Sequence, residues 1–341
     1  MSHGIVITTG ARLHFGLLSH GGLLSHRSEP GRNFGGAGLM IDLPRFRVSV
    51  RKAQRDAVLA PEDCRARIAG YVSAYRAACP AEFQPPCCEI ETLEEIPPHL
   101  GFGSGTQLAM AVAQALALLA GDGRSDAATL ARRVGRGARS ALGIHGFARG
   151  GFLVDGGKSR PDAVGTLAAH ADFPADWRML LVTPENRPGL AGAKEIDAFQ
   201  RLSGMSAATS DRLCRIVLAE LLPAVLDADF AACGDALFEF GRNVGEYFAP
   251  VQGGIYADAA MAALVADLRK SGVRGVGQTS WGPTIFVLCS SQTEAEALSR
   301  DLAARGRWND CRTRIAAPLN TGAAIEFGTS SHDAARQAER E

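Results

Sequence analysis

The stretch of this 341-residue chain with the clearest chemical potential is Gly101-Phe-Gly-Ser-Gly-Thr, which runs straight into an Ala- and Leu-rich segment. The first turn of a helix carries N–H groups without intrahelical partners and a partial positive charge. Glycines let backbone close on an anion with no Cβ in the way, so phosphate is the natural ligand. Gly101, Gly103 and Gly105 supply that backbone, Ser104 and Thr106 add hydroxyl donors, and Gln107 would face the same site. Ser104 also suits the N-cap. No Lys-Ser/Thr follows, so this is not a Walker loop, and Gly101-x-Gly103-x-x-Thr106 lacks the third glycine of a dinucleotide fingerprint. A tight turn before a capped core helix fits the same residues, and spacing alone leaves both readings open.

Three other segments carry comparable chemistry. Gly275-Val-Gly-Gln-Thr-Ser-Trp-Gly-Pro offers backbone donors, the Gln278 amide, the Thr279 and Ser280 hydroxyls and the Trp281 ring. Trp281 reads either as a stacking surface or as a core residue. The run from Gly135 to Gly157 holds Arg136, Arg139, His145, Arg149 and Asp155. An arginine there would fork onto phosphate or carboxylate. Asp155 is a candidate Mg²⁺ ligand, or a turn-forming residue before Gly156-Gly157. Arg12 and His14 alternate on a predicted strand and so share one face. Arg12 is assigned to a phosphate or carboxylate, while His14 reads equally as a structural histidine. His20, His26 and His99 lie in predicted loops and receive no role.

The elements that must position these residues follow from periodicity and turn signals. Strands are expected at 4–9, 12–18, 45–51, 88–93, 151–155, 178–183, 284–289, 312–316 and 323–327. Helices are expected at 61–78, after Gly103, and at 126–136, 206–226, 228–243, 256–270 and 292–305. The short duplication at 16–20 and 22–26 reads as a hairpin-like insertion, and the last dozen residues as frayed. The pattern is α+β with two lobes, residues 1–170 and 171–330. Composition agrees with an enzyme of that size. The 36 basic and 36 acidic residues cancel, and only four of the basic ones are lysines. A zero balance argues against a nucleic-acid partner, although a local basic pocket remains compatible with it. The 39 glycines exceed the usual share and cluster in the loops above. Eight cysteines without a C-x-x-C pair read as reduced thiols of a cytoplasmic protein, and no apolar run is long enough to cross a membrane.

Taken together, these motifs resemble the GHMP kinase superfamily. Pro97-x-x-x-Gly101-Phe-Gly103-Ser104-Gly105 is similar to its phosphate loop, Ala11-Arg-Leu-His-Phe-Gly-Leu to its N-terminal motif, and residues 275–283 to its C-terminal glycine motif. Leu100–Leu108, Gly135-Arg-Gly, Gly143–Gly157 and Gly277–Thr284 resemble most specifically the β-ribofuranosylaminobenzene 5′-phosphate synthase family, over residues 6–327. The resemblance implies an N-terminal lobe like ribosomal protein S5 domain 2, a ferredoxin-like C-terminal lobe and a homodimer. It implies condensation of phosphoribosyl pyrophosphate with 4-aminobenzoate or 4-hydroxybenzoate, with Mg²⁺, releasing CO₂ and pyrophosphate toward tetrahydromethanopterin. Arg12, Ser104 and Gln278 would be catalytic. Gly101, Gly103, Gly105, Thr106, Gln107, Arg136, Thr279, Ser280 and Trp281 would bind substrate. The alternatives are an ATP-dependent small-molecule kinase and a non-catalytic sensor of the sugar phosphate. Kinases of the superfamily commonly carry Asp where this chain has Gly143, which counts against phosphoryl transfer.

Overall fold

A computed structural model describes residues 4–21, 32–185, 187, 189, 192–308 and 310–328, the side chains of 192–196 excepted. Residues 22–26 and His26, half of the short duplication, and the last dozen residues lie outside the described set.

The chain opens with β1 (Gly4–Leu17) and β2 (Gly36–Lys52), which pair antiparallel over nearly their whole length. The sequence suggested two strands on either side of Thr8-Thr9-Gly10. They form one strand with a bulge between Gly10 and Ala11. A Cβ on Gly10 would sit 2.0 Å from the Ile41 carbonyl oxygen, so the glycine lets the strand bend there without leaving the sheet. Next come β3 (Ala57–Leu59), α1 (Glu62–Ala78), β4 (Cys88–Glu94), α2 (Ser104–Leu119), α3 (Ala127–Arg133), α4 (Leu142–Arg149), β5 (Phe152–Asp155) and β6 (Leu167–Ala171). Helix α2 is apolar on nearly every face. Leu108 to Ala113 are all fully buried, so the helix forms the centre of the first lobe rather than its surface.

The second lobe begins with β7 (Arg178–Pro184) and α5 (Gly192–Arg201). A continuous helical rod then runs through α6 (Ala207–Arg215), a π turn at 216–221 and α7 (Leu222–Leu226). It is followed by α8 (Phe230–Gln252), α9 (Ala259–Lys270), β8 (Val276–Gln278), β9 (Ile285–Cys289), α10 (Gln292–Ala304), β10 (Cys311–Ala316) and β11 (Ala324–Gly328). The four-stranded sheet of this lobe has the order β10-β7-β9-β8 and is antiparallel throughout.

The final strand corrects the simple division at residue 170. β11 crosses back and pairs antiparallel with β1, from Gly4↔Gly328 to Thr8↔Ala324. It therefore belongs to the seven-stranded sheet β11-β1-β2-β4-β3, with β5 and β6 branching from β2. Exposed strand edges favour pairing, and the returning strand covers the open edge of β1. One apolar cluster joins β1, α2, α8 and the rod through Phe15, Phe240, Phe248 and Trp281, so the lobes share a core. Among the described residues no helix is long and apolar enough to cross a membrane.

Candidate active site

The two lobes meet over a cavity of about 290 Å³, lined by the glycine loop, by residues 135–140, by Arg12 and His14 of β1, and by aromatic side chains of both lobes. The loop is shaped by backbone that only glycine adopts easily. Gly101 has φ +87° and Gly103 φ +70°. Gly103, in the left-handed region, caps α2, so Ser104 is the first helical residue and not the N-cap. The Ser104 side chain lines the cavity at the positive end of a sixteen-residue helix.

Two guanidiniums close on this loop. A Cβ on Gly103 would lie 3.1 Å from Arg12 Nε, and one on Gly105 would lie 3.3 Å from Arg136 Nη2. The absence of Cβ atoms at these glycines thus lets the two arginine side chains approach the loop backbone. Arg136 stacks over the Tyr71 ring at 5.0 Å and donates to its hydroxyl. Tyr71 in turn donates to the Gly105 carbonyl at 3.2 Å. A third arginine, Arg139, lines the same cavity but sits over the Phe199 ring, 5.2 Å from its centroid. No Asp or Glu is among the described residues that line the cavity. The field there is positive although the whole chain is neutral.

His14 lies in that field. Burial, reinforced by Arg12 and Arg139, holds its pKa well below the ordinary imidazole value, so the ring is neutral at neutral pH. Its backbone is clamped by the second lobe. The His14 N–H donates to Thr279 Oγ1 at 3.0 Å, and Ser280 N–H donates to the His14 carbonyl at 2.9 Å. Thr279 Oγ1 also donates to the Gly101 carbonyl at 3.0 Å. One hydroxyl therefore ties β1, the glycine loop and the C-terminal loop together.

Of the residues singled out from sequence, Arg12, Gly101, Gly103, Ser104, Gly105, Thr106, Arg136, Ser280 and Trp281 line the cavity. Four do not, and each is occupied elsewhere. Gln107 is fully buried, accepting from the Thr9 hydroxyl at 2.7 Å and donating to the Gly143 carbonyl at 2.9 Å. Gln278 accepts from Ala257 N–H at 2.8 Å and donates to the Ser280 carbonyl at 3.3 Å, shaping its own loop. Thr279 is spent on the clamp. Asp155, the metal candidate, is a turn anchor: it accepts from Ala141 N–H at 2.6 Å, Gly157 N–H at 2.8 Å and the Ser140 hydroxyl at 3.3 Å. Burial pushes its pKa up, and those donors work against the rise. No cluster of three or more His, Cys, Asp or Glu suited to a metal occurs among the described residues. The described side chains thus do not fit a protein-held Mg²⁺.

The residues missed from sequence are mostly aromatic. Phe34, Phe199 and Phe248 join Trp281 on one wall, with Phe248 and Trp281 centroids 4.5 Å apart and Phe199 edge-on to Trp281 at 5.2 Å. Isolated phenylalanines in a loop and two helical segments carry no signal for this, because only packing of α5, α8 and the loop before β2 on the C-terminal loop brings them together. His99 also lines the cavity, while His20 packs behind the wall against Phe34 and Phe199 and bonds Tyr247 at 2.6 Å. His145 is engaged with the Gly165 carbonyl at 2.8 Å.

Comparison with known proteins bears on this geometry. The description "GHMP kinases N terminal domain" matches residues 68–151, spanning the glycine loop, and "GHMP kinases C terminal" matches residues 221–307, spanning the clamp. The chain belongs to the GHMP kinase superfamily. Solved members confirm the fold over almost the whole chain. A homoserine kinase from Cytophaga hutchinsonii has a TM-score of 0.62 at 14% identity, covering 95% of this chain and 97% of its own. A mevalonate pyrophosphate decarboxylase from Streptococcus pyogenes has a TM-score of 0.64 at 14% identity, covering 93% and 97%. Sequence relatives are more specific. A beta-ribofuranosylphenol 5′-phosphate synthase from Archaeoglobus fulgidus is 28% identical over 94% of this chain and 99% of its own. One of the same name from Methanothermobacter thermautotrophicus is 28% identical over 83% and 88%. These relatives favour the synthase reading over the kinase. In this superfamily member Gly143 lies within buried α4, where an added Cβ would meet Thr106 at 3.1 Å and the Gln107 amide at 3.3 Å. Thr106 and Gln107 together crowd the position where a side chain would begin.

Proposed function

We propose that the chain is a decarboxylating ribosyl transferase that condenses phosphoribosyl pyrophosphate with a para-substituted benzoate, 4-hydroxybenzoate or 4-aminobenzoate. The observation that supports this most is a single cavity lined by two chemically unlike sets of groups. One is a glycine loop at a helix N-terminus flanked by Arg12 and Arg136, and the other is a set of packed aromatic rings. The names of the relatives specify a ribosylated phenol, which makes 4-hydroxybenzoate the first acceptor to assay.

The chemistry divides between the two sets of groups. Charge on the departing pyrophosphate is opposed by Arg12, Arg136 and the N-terminus of α2 as the bond from ribose C1 to oxygen breaks. The aromatic wall holds the ring so that the carbon bearing the carboxylate faces C1, which replaces an encounter in solution by a fixed approach. A carbon–carbon bond forms there. The bond to the carboxyl carbon then breaks, its electron pair restores aromaticity, and CO₂ leaves. The para hydroxyl or amine donates electron density into the ring during attack. Lys158, a buried lysine near this site, donates to the carbonyls of Gly137, Ala138 and Pro161 and so holds the loop in place.

The test uses 4-hydroxybenzoate and 4-aminobenzoate labelled at the carboxyl carbon, incubated with the protein, Mg²⁺ and phosphoribosyl pyrophosphate. Labelled CO₂ should appear only when the sugar phosphate is present. If neither acid loses label while the protein is folded, the proposal fails. ADP formed from ATP in proportion to an added small alcohol would restore the kinase reading.

A further inference from the structure

The three arginines of the cavity are not equivalent. Arg12 packs on Gly103 and Arg136 on Gly105, so both belong to the glycine loop. Arg139 packs instead on an aromatic ring. Its guanidinium lies over the face of Phe199, and Phe199 is the ring through which the aromatic wall is connected. Phe199 meets Phe34 of the first lobe at 6.0 Å, and Phe248 and Trp281 of the second at 6.1 and 5.2 Å. An arginine on such a wall combines two properties. Its weakly hydrated planar face stacks on an aromatic ring, and its edge forks onto a carboxylate.

The backbone beside Arg139 is pinned from both sides. The Ala138 carbonyl accepts from the Lys158 ammonium, whose other donors hold the Gly137 and Pro161 carbonyls. Ala141 N–H donates to Asp155 at 2.6 Å. Two buried ionisable side chains thus fix the segment that carries Arg139. Supporting contacts of this kind hold a recognition group within the tolerance that binding needs.

We infer that Arg139, with Phe34, Phe199, Phe248 and Trp281, forms an aryl-carboxylate subsite in which the guanidinium holds the carboxylate of the acceptor and the four rings hold its arene. This rests on the proposed reaction and adds to it which arginine takes which anion. The assignment has a kinetic consequence. The guanidinium stabilises a carboxylate more than the neutral CO₂ that leaves. Its contribution therefore goes to binding the acid and not to the decarboxylation step, and it should appear in KM for the acid with little change in kcat.

The experiment compares wild type with Arg139→Gln, Arg139→Lys and Arg136→Ala. Calorimetric titrations use 4-hydroxybenzoate, phenol and inorganic pyrophosphate, and labelled-CO₂ turnover is followed in parallel. Wild type should bind 4-hydroxybenzoate at least about tenfold tighter than phenol, the scale of one charge-assisted pair. Arg139→Gln should cut that preference to less than about threefold, while pyrophosphate affinity moves less than about threefold. Arg136→Ala should do the reverse. Arg139→Lys, which keeps the charge but loses the flat fork, should fall between. Melting curves show whether each variant is folded, and the lysine variant tests the assignment if the glutamine variant is not. An Arg139→Gln or Arg139→Lys protein that keeps the full preference for the acid overturns the inference while leaving the reaction standing. Wild type that binds no aryl acid, or releases no CO₂, overturns the reaction itself.

Discussion

Thr279 offers the sharpest test of how the two lobes make one site. It is wholly buried, and its hydroxyl accepts from the His14 N–H and donates to the Gly101 carbonyl, both at 3.0 Å. Thr279→Val keeps the shape and removes both bonds. The His14 N–H would be left without its acceptor in a buried position, at a cost of about 1–3 kcal/mol, and the bond to Gly101 contributes about 0.5–1.5 kcal/mol more. The variant should therefore lose about 2–4 kcal/mol in urea unfolding. Thr279→Ser keeps the hydroxyl and gives up one methyl group, so it should lose only about 1 kcal/mol. The functional signature is separate from stability. Below its unfolding range the valine variant should show a raised KM for phosphoribosyl pyrophosphate, because the freed Gly101 carbonyl loosens the glycine loop, and the serine variant should restore it. Valine and serine variants both within about 0.5 kcal/mol of wild type, a shift that ordinary surface changes also produce, would refute the clamp.

Two further outcomes follow from buried carboxylates. Asp155→Ala removes the acceptor for two backbone N–H groups and should destabilise by about 2–5 kcal/mol. Because those bonds make it a turn anchor, Asp155→Asn, titrated with Mg²⁺ at a temperature where it is folded, should show the same metal dependence of turnover as wild type; a shifted Mg²⁺ midpoint would return Asp155 to the metal. Asp122 is the second case. Burial alone would raise its pKa, but the Ser125 hydroxyl, Arg133 and the Arg124 N–H outweigh that and hold it at about 2. A carboxylate depressed in the folded state adds stability above its unfolded pKa and loses it as pH falls toward the folded one. Urea midpoints of the wild type should drop between about pH 4 and pH 2, and Asp122→Asn should flatten that part of the profile.

Much of the fold was legible because its signals are local. The alternation of Cys88–Glu94 and the Pro-Gly loop leading into α2 are properties of neighbouring residues, and backbone sterics translate them directly into elements. The shape of the glycine loop was legible for the same reason: glycine at 101 and 103 permits the positive φ that the loop adopts. Arg12 could be placed on the site because a strand fixes which residues share a face.

The chain's own order of residues therefore determined the elements, the glycine loop and the superfamily. Tertiary structure alone decided which polar residues are free to meet a substrate. Gln107, Thr279 and Asp155 have the right types in the right loops, yet their donors and acceptors are consumed by Thr9, Gly143, His14, Gly101, Ala141 and Gly157, partners up to 265 residues away. The aromatic wall shows the converse. Phe34, Phe199, Phe248 and Trp281 have no common spacing, and they form a surface only where α5, α8 and two loops close on one another. A hydrogen-bond partner and a packing neighbour are facts of three-dimensional closure, and linear spacing encodes them only when both members lie within one turn or one strand.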